Sequence, residues 1–123
     1  MSQAAPPRLF VVDDEPLLVS TLATILNMSG FLALPFQSAA EALQAAETEA
    51  PSILLSDVQM PGMNGIELAI QFRGRYPACK VLLFSGFTDT SQLLENAKRQ
   101  GHNFQVMAKP MQPTELLVAL RQL

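Results

Sequence analysis

Four short apolar runs in this chain each end on a polar or charged group. Leu9-Phe10-Val11-Val12 leads into Asp13-Asp14-Glu15, and Ile53-Leu54-Leu55-Ser56 leads into Asp57 and then Val58-Gln59-Met60-Pro61-Gly62. Val81-Leu82-Leu83-Phe84 delivers Ser85-Gly86, and Phe104 through Ala108 delivers Lys109-Pro110. Apolar runs of this length, bounded by turn residues, predict buried strands. A fifth run, Phe31 to Phe36, contains Pro35, whose missing N–H suits an edge strand better than a central one.

Helical patterns alternate with these runs. Pro16 is placed for a first helical turn, Leu18, Leu22, Ile25 and Leu26 form an apolar stripe, and Gly30 stops the helix. Ser38 followed by Glu41 is a capping-box pattern opening a helix through about Thr48. Asn64 can cap a helix carrying Ile66, Leu68, Ile70 and Phe72 towards Tyr76. Asp89 or Thr90 begins the next helix and Gly101 ends it. Gln112-Pro113-Thr114-Glu115 opens the last, with Leu116, Leu117 and Leu120 inward.

Five strands and five helices in strict alternation predict an α/β domain with a parallel sheet. Right-handed crossovers put helices on both faces, giving three layers. The order 2-1-3-4-5 places the Pro35 strand at an edge and the first and third strands side by side. Ligands of such sheets bind beyond the carboxyl ends of the strands, at the topological switch point. Asp13, Asp14 and Asp57 converge there in this reading, which makes them one candidate site.

Composition narrows the classes. With 123 residues, 49% of them hydrophobic, the chain fits one domain with a single core. We divide it into a disordered tail, residues 1–7, and a folded domain, residues 8–123. A net charge of −3 supplies no basic footprint for nucleic acid. Lys98, Arg99 and Arg121 read as solvated helix faces. No apolar stretch approaches the roughly 20 residues of a membrane span, and no secretory signal opens the chain, so the expectation is a cytoplasmic protein. Cys79 is the only cysteine, which excludes an intrachain disulfide. It reads as a small half-buried residue, and His102 as part of a surface loop.

Three neighbouring carboxylates repel one another and need a counter-charge. Hard oxygen ligands in a partly solvated pocket suit Mg²⁺ better than zinc or copper. One divalent cation plus Lys109 balances the three acids. A phosphoryl group then finds a metal, an ammonium and the Ser85 hydroxyl around it, with space beside Gly86. Attack by a carboxylate on phosphorus would form an aspartyl phosphate. Acidic residues at strand ends also serve merely to solubilise loops, and it is the convergence of the set that argues for chemistry. Glu15 reads as a first-turn residue favouring the helix dipole, and Met60 and Met63 read as packing.

These motifs resemble the receiver domain of two-component response regulators, from about Arg8 to the end of the chain. Asp13-Asp14, Asp57-x-x-Met60-Pro61-Gly62-Met63-x-Gly65, Ser85-Gly86 and Lys109-Pro110 occur in order at the ends of the expected strands. The resemblance implies a flavodoxin-like (βα)5 sandwich and a phosphorylation-controlled switch rather than a conventional enzyme. It implies that Asp57 accepts the phosphoryl group from a kinase phospho-His. Asp14 would bind Mg²⁺ directly, Asp13 through water, and the backbone carbonyl of Gln59 would complete the protein ligands. Ser85 would move to a phosphoryl oxygen, Lys109 would pair with it, and Lys109-Pro110 would be a cis peptide. Implied partners are a sensor histidine kinase or phosphotransfer protein and a downstream protein or effector domain. Neither nucleic acid nor membrane is a direct partner, and phosphorylation-dependent homodimerisation stays open.

The chain departs from the family at two places. Receivers usually carry Tyr or Phe three residues before the last lysine, where this chain has Val106. Phe104 shares its strand face by alternation, which alone does not make it the substitute. His102 stands where Ala is common. Gln59 and Phe87 flank the acceptor as residues that tune water access, and the expectation is that Phe87 slows dephosphorylation. Two other classes compete. A degenerate receiver binding partners without phosphorylation finds support only in Val106. A haloacid dehalogenase-like phosphohydrolase shares the Asp, Ser, Lys and Mg²⁺ set, but Gln59 stands where its acid should be.

Overall fold

The structure, a computed structural model, describes residues 5–86 and 90–123. The elements run β1 Arg8–Val12, α1 Pro16–Asn27, β2 Leu32–Phe36, α2 Ala39–Thr48 and β3 Ile53–Asp57, followed by α3 Gly65–Arg75, β4 Lys80–Ser85, α4 Ser91–Arg99, β5 Gln105–Ala108 and α5 Pro113–Arg121. All strand pairs are parallel and the order is β2-β1-β3-β4-β5. The predicted topology holds, with Pro35 on the edge strand opposite Val11. Leu32 donates to the Pro7 carbonyl (2.9 Å), so the β1–β2 ladder begins one residue inside the segment assigned to the tail. Met1 to Ala4 lie outside the described residues.

Strand alternation splits the core into two layers. Phe10, Val12, Leu54 and Leu83 face α2 and α3, around Leu68, Ala69 and Phe72. Leu9, Val11, Leu55, Leu82 and Phe84 face α1 and α5, around Leu22, Leu26, Leu116 and Leu120. Every residue of β3 is buried, because helices cover both faces of a central parallel strand.

Local chemistry explains most boundaries, with corrections. Pro16 occupies the first helical position of α1, and Gly30 takes φ +99 beyond its end. The inward residues of α1 are Val19, Leu22, Ala23 and Leu26, whereas Leu18 and Ile25 are half-buried. The predicted stripe is therefore turned by about one position. Glu15 is the N-cap residue of α1 rather than a first-turn residue. Ser38 caps α2 through Glu41 N–H (3.1 Å), but the Glu41 carboxylate takes the N–H of Gln37, one residue short of a reciprocal box. Asn64 and Glu67 do close a full box at α3. The inward face of α5 is Leu116, Ala119 and Leu120, with Leu117 half-buried. Cys79 is buried rather than half-buried.

Thr90 precedes α4 without a side-chain cap, and Ala97 is the only buried residue of that helix. Asp89 lies outside the described residues. The carboxyl end of α4 is better held: Arg73 donates to the Asn103 carbonyl (2.7 Å), its guanidinium lies 4.1 Å from the Phe104 ring centroid, and His102 stacks parallel to that ring.

Candidate phosphoacceptor site

The site is built where β1, β3, β4 and β5 end. Asp13 follows β1, and its N–H is held by the Phe36 carbonyl (3.1 Å), so its side chain turns inward at the switch point. Asp57 closes β3 opposite Phe84, and Val58 donates to the Phe84 carbonyl (2.9 Å). Ser85 pairs with Ala108, and its carbonyl accepts the Lys109 N–H at 2.8 Å. The Lys109-Pro110 peptide is cis, as expected.

Lys109 is the electrostatic centre. Its Nζ lies 2.9 Å from Asp13 Oδ2 and 3.1 Å from Asp57 Oδ2, and 5.0 Å from the centroid of the Phe84 ring. Asp13 is fully buried, and its second oxygen accepts the Glu15 N–H at 2.9 Å. Asp57 Oδ1 accepts a longer bond from Gln59 N–H (3.3 Å). Asp14 is exposed, and its carboxylate, with those of Asp13 and Asp57, offers oxygens within 4.8 Å of one another.

One ammonium thus serves two buried acids, and the ionisation behaviour follows. Burial raises the Asp57 pKa above the ordinary carboxylate value. The Lys109 hydrogen bond and charge oppose that rise without cancelling it, and the Asp13 charge adds to it. Burial alone would lower the Lys109 pKa. Hydrogen bonds and charge from Asp13 and Asp57 outweigh it, so the ammonium is held above its usual value. The Lys109 proton is tightly held, while the Asp57 charge is under-compensated. A further cation would relieve that shortage.

A cleft of about 670 Å³ opens over these groups, lined by Asp14, Asp57, Gln59, Gly86 and Lys109 on its polar side. Leu18, Leu22 and Met111 form an apolar wall. The sequence reading missed that wall, although Leu18 and Leu22 stand in the first two turns of α1, just after Asp14. Two supporting contacts were also missed. The Ser56 hydroxyl donates to the Asp57 carbonyl (2.9 Å), and Gly65, hydrogen-bonded to the Val58 carbonyl (2.9 Å), packs directly on the Asp57 backbone.

Comparison with known proteins now decides the family. The profile of the "Response regulator receiver domain" matches residues 9–121. This chain belongs to the response regulator receiver domains. It is 31% identical over 114 residues to the DNA-binding transcriptional regulator NtrC of Escherichia coli (strain K12), covering 93% of this chain and 24% of that protein. The chain thus spans about a quarter of the length of that relative. A crystal structure of a two component transcriptional regulator AraC from Clostridium phytofermentans ISDg superposes with a TM-score of 0.79 at 34% identity, covering 94% of this chain and 90% of that one. A CheY-like receiver domain protein from Methanospirillum hungatei JF-1 shares the fold, with a TM-score of 0.84 at 23% identity, covering 95% of this chain and 92% of that one. The receiver is a phosphoacceptor domain of two-component signalling and not a conventional enzyme, and it carries the acidic pocket and lysine together. Family membership sets aside the phosphohydrolase reading.

The site residues fall into three groups in this receiver. Asp13, Asp14, Asp57 and Lys109 are brought together, with Ser85 and Gly86 at the adjoining strand end. Val106 is half-buried opposite Leu83, packed in the layer with Leu93 and Leu94. Phe104 lies before β5 begins, with its ring taken by Arg73 and His102, so it does not stand in for an aromatic at position 106. Phe87 lies outside the described residues. No helix among the described residues is long and apolar enough to cross a membrane.

Proposed function

We propose that Asp57 is the phosphoacceptor of this receiver and that it works with Mg²⁺. The observation that carries this is the sharing of Lys109 between Asp13 and Asp57, which leaves the Asp57 charge under-compensated at the floor of an open cleft. The donor set fits the metal, since three carboxylates offer hard oxygens within 4.8 Å. Asp13 is fully buried and its two oxygens accept shorter bonds, both 2.9 Å, than the 3.1 and 3.3 Å bonds on Asp57, which supports a water-mediated role for Asp13. Exposed Asp14, Asp57 and the Gln59 carbonyl would then hold the ion directly. Bound there, Mg²⁺ supplies positive charge to the oxygens of the incoming phosphoryl group.

The remaining roles belong to side chains. An Asp57 oxygen forms the new bond to phosphorus while the bond from phosphorus to the donor's histidine nitrogen breaks. Lys109 keeps its proton throughout and moves its pairing from the carboxylates to the phosphoryl oxygens. Ser85 supplies a hydroxyl donor from the end of β4, and Gly86 leaves room for the group. The donor is a sensor histidine kinase or a phosphotransfer protein in the cytoplasm, and the reader is a downstream protein or effector domain. Val106 would weaken the coupling from Ser85 to that reader, because a β-branched aliphatic has no ring to swing.

Intact mass after incubation with Mg²⁺ and acetyl phosphate tests the reading, with Asp57→Ala alongside. The expected result is a gain of one phosphoryl group, abolished by EDTA and absent in the variant. A folded protein that binds Mg²⁺ yet gains nothing would turn the reading towards a phosphorylation-independent binding module.

A further inference from the structure

We propose that Asn64-Gly65 is a chemical modification site whose reaction is held off by the folded capping box and whose isoaspartyl product disables the acceptor loop. Asparagine before glycine is the sequence most open to intramolecular attack, because glycine offers no side chain to shield its amide nitrogen. The Gly65 nitrogen, after losing its proton, bonds to Asn64 Cγ while the Cγ–Nδ2 bond breaks and ammonia leaves. Water then opens the succinimide at either carbonyl, leaving an aspartyl or an isoaspartyl residue at position 64. Water is the only co-reactant, and no electrons are exchanged.

Both reacting groups are committed elsewhere in the fold. The Gly65 N–H donates to the Val58 carbonyl (2.9 Å), and the Asn64 carboxamide oxygen accepts the Glu67 N–H (2.9 Å). The Glu67 carboxylate accepts a bond in return from the Asn64 N–H (3.0 Å), which fixes the backbone at φ −80, ψ 171. Attack requires the carboxamide to leave the helix end and the amide to leave Val58. The reaction therefore runs through a locally opened state, and its rate reports that opening.

The two products differ sharply. An aspartyl residue caps a helix as well as asparagine does. The isoaspartyl linkage lengthens the main chain by one bond of about 1.5 Å immediately before Gly65. Gly65 already lies against the Asp57 backbone with no room for a methyl group. The extra bond must be absorbed in the segment that carries Asp57, so the isoaspartyl form displaces the acceptor.

Deamidation is followed by peptide mapping and isoaspartate detection on the full chain in mildly alkaline buffer, folded and in urea. We expect folded protein to react at least about tenfold more slowly than unfolded chain. Glu67→Ala, which removes half of the box, should recover a severalfold part of that difference while the protein stays folded. Equal rates in folded and unfolded chain would overturn the protection. The isoaspartyl fraction is then assayed for acetyl phosphate labelling beside Asn64→Asp, which bears the charge without the longer chain. Loss of labelling in the isoaspartyl fraction alone is expected, and normal labelling of that fraction would overturn the second half. This readout rests on Asp57 being the acceptor. Fresh parent protein that fails to label would sink that reading, whereas the deamidation rates stand apart from it.

Discussion

Gly65 packs on the backbone of Asp57 so closely that the methyl group of an alanine there would overlap the Asp57 carbonyl oxygen. The contact fixes Asp57 from behind, since the same carbonyl accepts the Ser56 hydroxyl. Gly65→Ala should therefore cost about 1–3 kcal/mol, as overpacking in a rigid core does. It should also slow phosphoryl transfer to Asp57. Gly74→Ala, on the same helix with open space at its Cβ, should be stabilising by about 0.5–1 kcal/mol. Urea unfolding of the pair checks this, and equal effects would mean that the clash is absorbed elsewhere.

Cys79 should be chemically quiet. Burial pushes its thiol up to about 11 from an ordinary 9.0, and a bond from the Leu54 backbone lowers it only in part. The thiolate is the reactive species. Alkylation at about pH 8 should be slow in the native protein, rise roughly tenfold per pH unit until the thiol titrates, and become fast in denaturant. Rapid labelling of folded protein that levels off near the ordinary 9.0 would show that Cys79 is exposed by frequent opening. The sign for stability is equally fixed: folding favours the protonated thiol, so this group weakens the fold as pH rises between 9 and about 11.

Strand topology was legible because each apolar run ended on a chemically distinct residue and Pro35 marked the edge. The acid and lysine set was legible for the same reason. Helix faces were less so: Val19 and Ala23 are as apolar as Leu18 and Ile25, and which pair turns inward depends on how α1 docks on β1 and β2. The sharing of Lys109 between Asp13 and Asp57 is a distance across 96 and 52 residues of chain. The Arg73, Phe104 and His102 stack was hidden for a related reason. Alternation placed Phe104 on the face of Val106, but an aromatic ahead of the strand answers to whatever packs there, in this case a guanidinium from α3.

Asp57→Asn should stabilise the metal-free protein. Burial raises the Asp57 pKa in the fold above the ordinary 3.8, so its ionisation opposes folding. That penalty is absent below pH 3.8, grows as pH rises through the folded value, and is complete above it. The variant should be the more stable protein at neutral pH, with the gain vanishing in acid. Mg²⁺ should narrow the gap by stabilising the parent more than the variant, as expected for a ligand bound to the native state alone. Calorimetry across pH, with and without Mg²⁺, decides it, and an acid-independent difference would place the effect in packing.

Lys109→Met removes the one cation shared by two buried acids. Breaking a fully buried pair costs roughly 3–5 kcal/mol. The Lys109 side chain keeps 17% exposure, and water enters the cleft beside it, so about 2 kcal/mol is the expected loss. The pH dependence follows from the raised pKa of the ammonium. Its contribution is complete below the unfolded value near 10.5 and is lost as pH rises through the higher folded value. The variant's deficit should therefore be constant across the neutral range and shrink in strong alkali. It should shrink in acid too, where protonated Asp57 no longer needs a partner. Mg²⁺ should restore much of the stability, because a divalent cation among the same three acids supplies the missing charge. It should not restore phosphoryl transfer, since the ammonium that would move to the phosphoryl oxygens is gone. Denaturant melts and acetyl phosphate labelling of one sample separate the two. Recovery of both with Mg²⁺ would reduce Lys109 to a structural counter-ion.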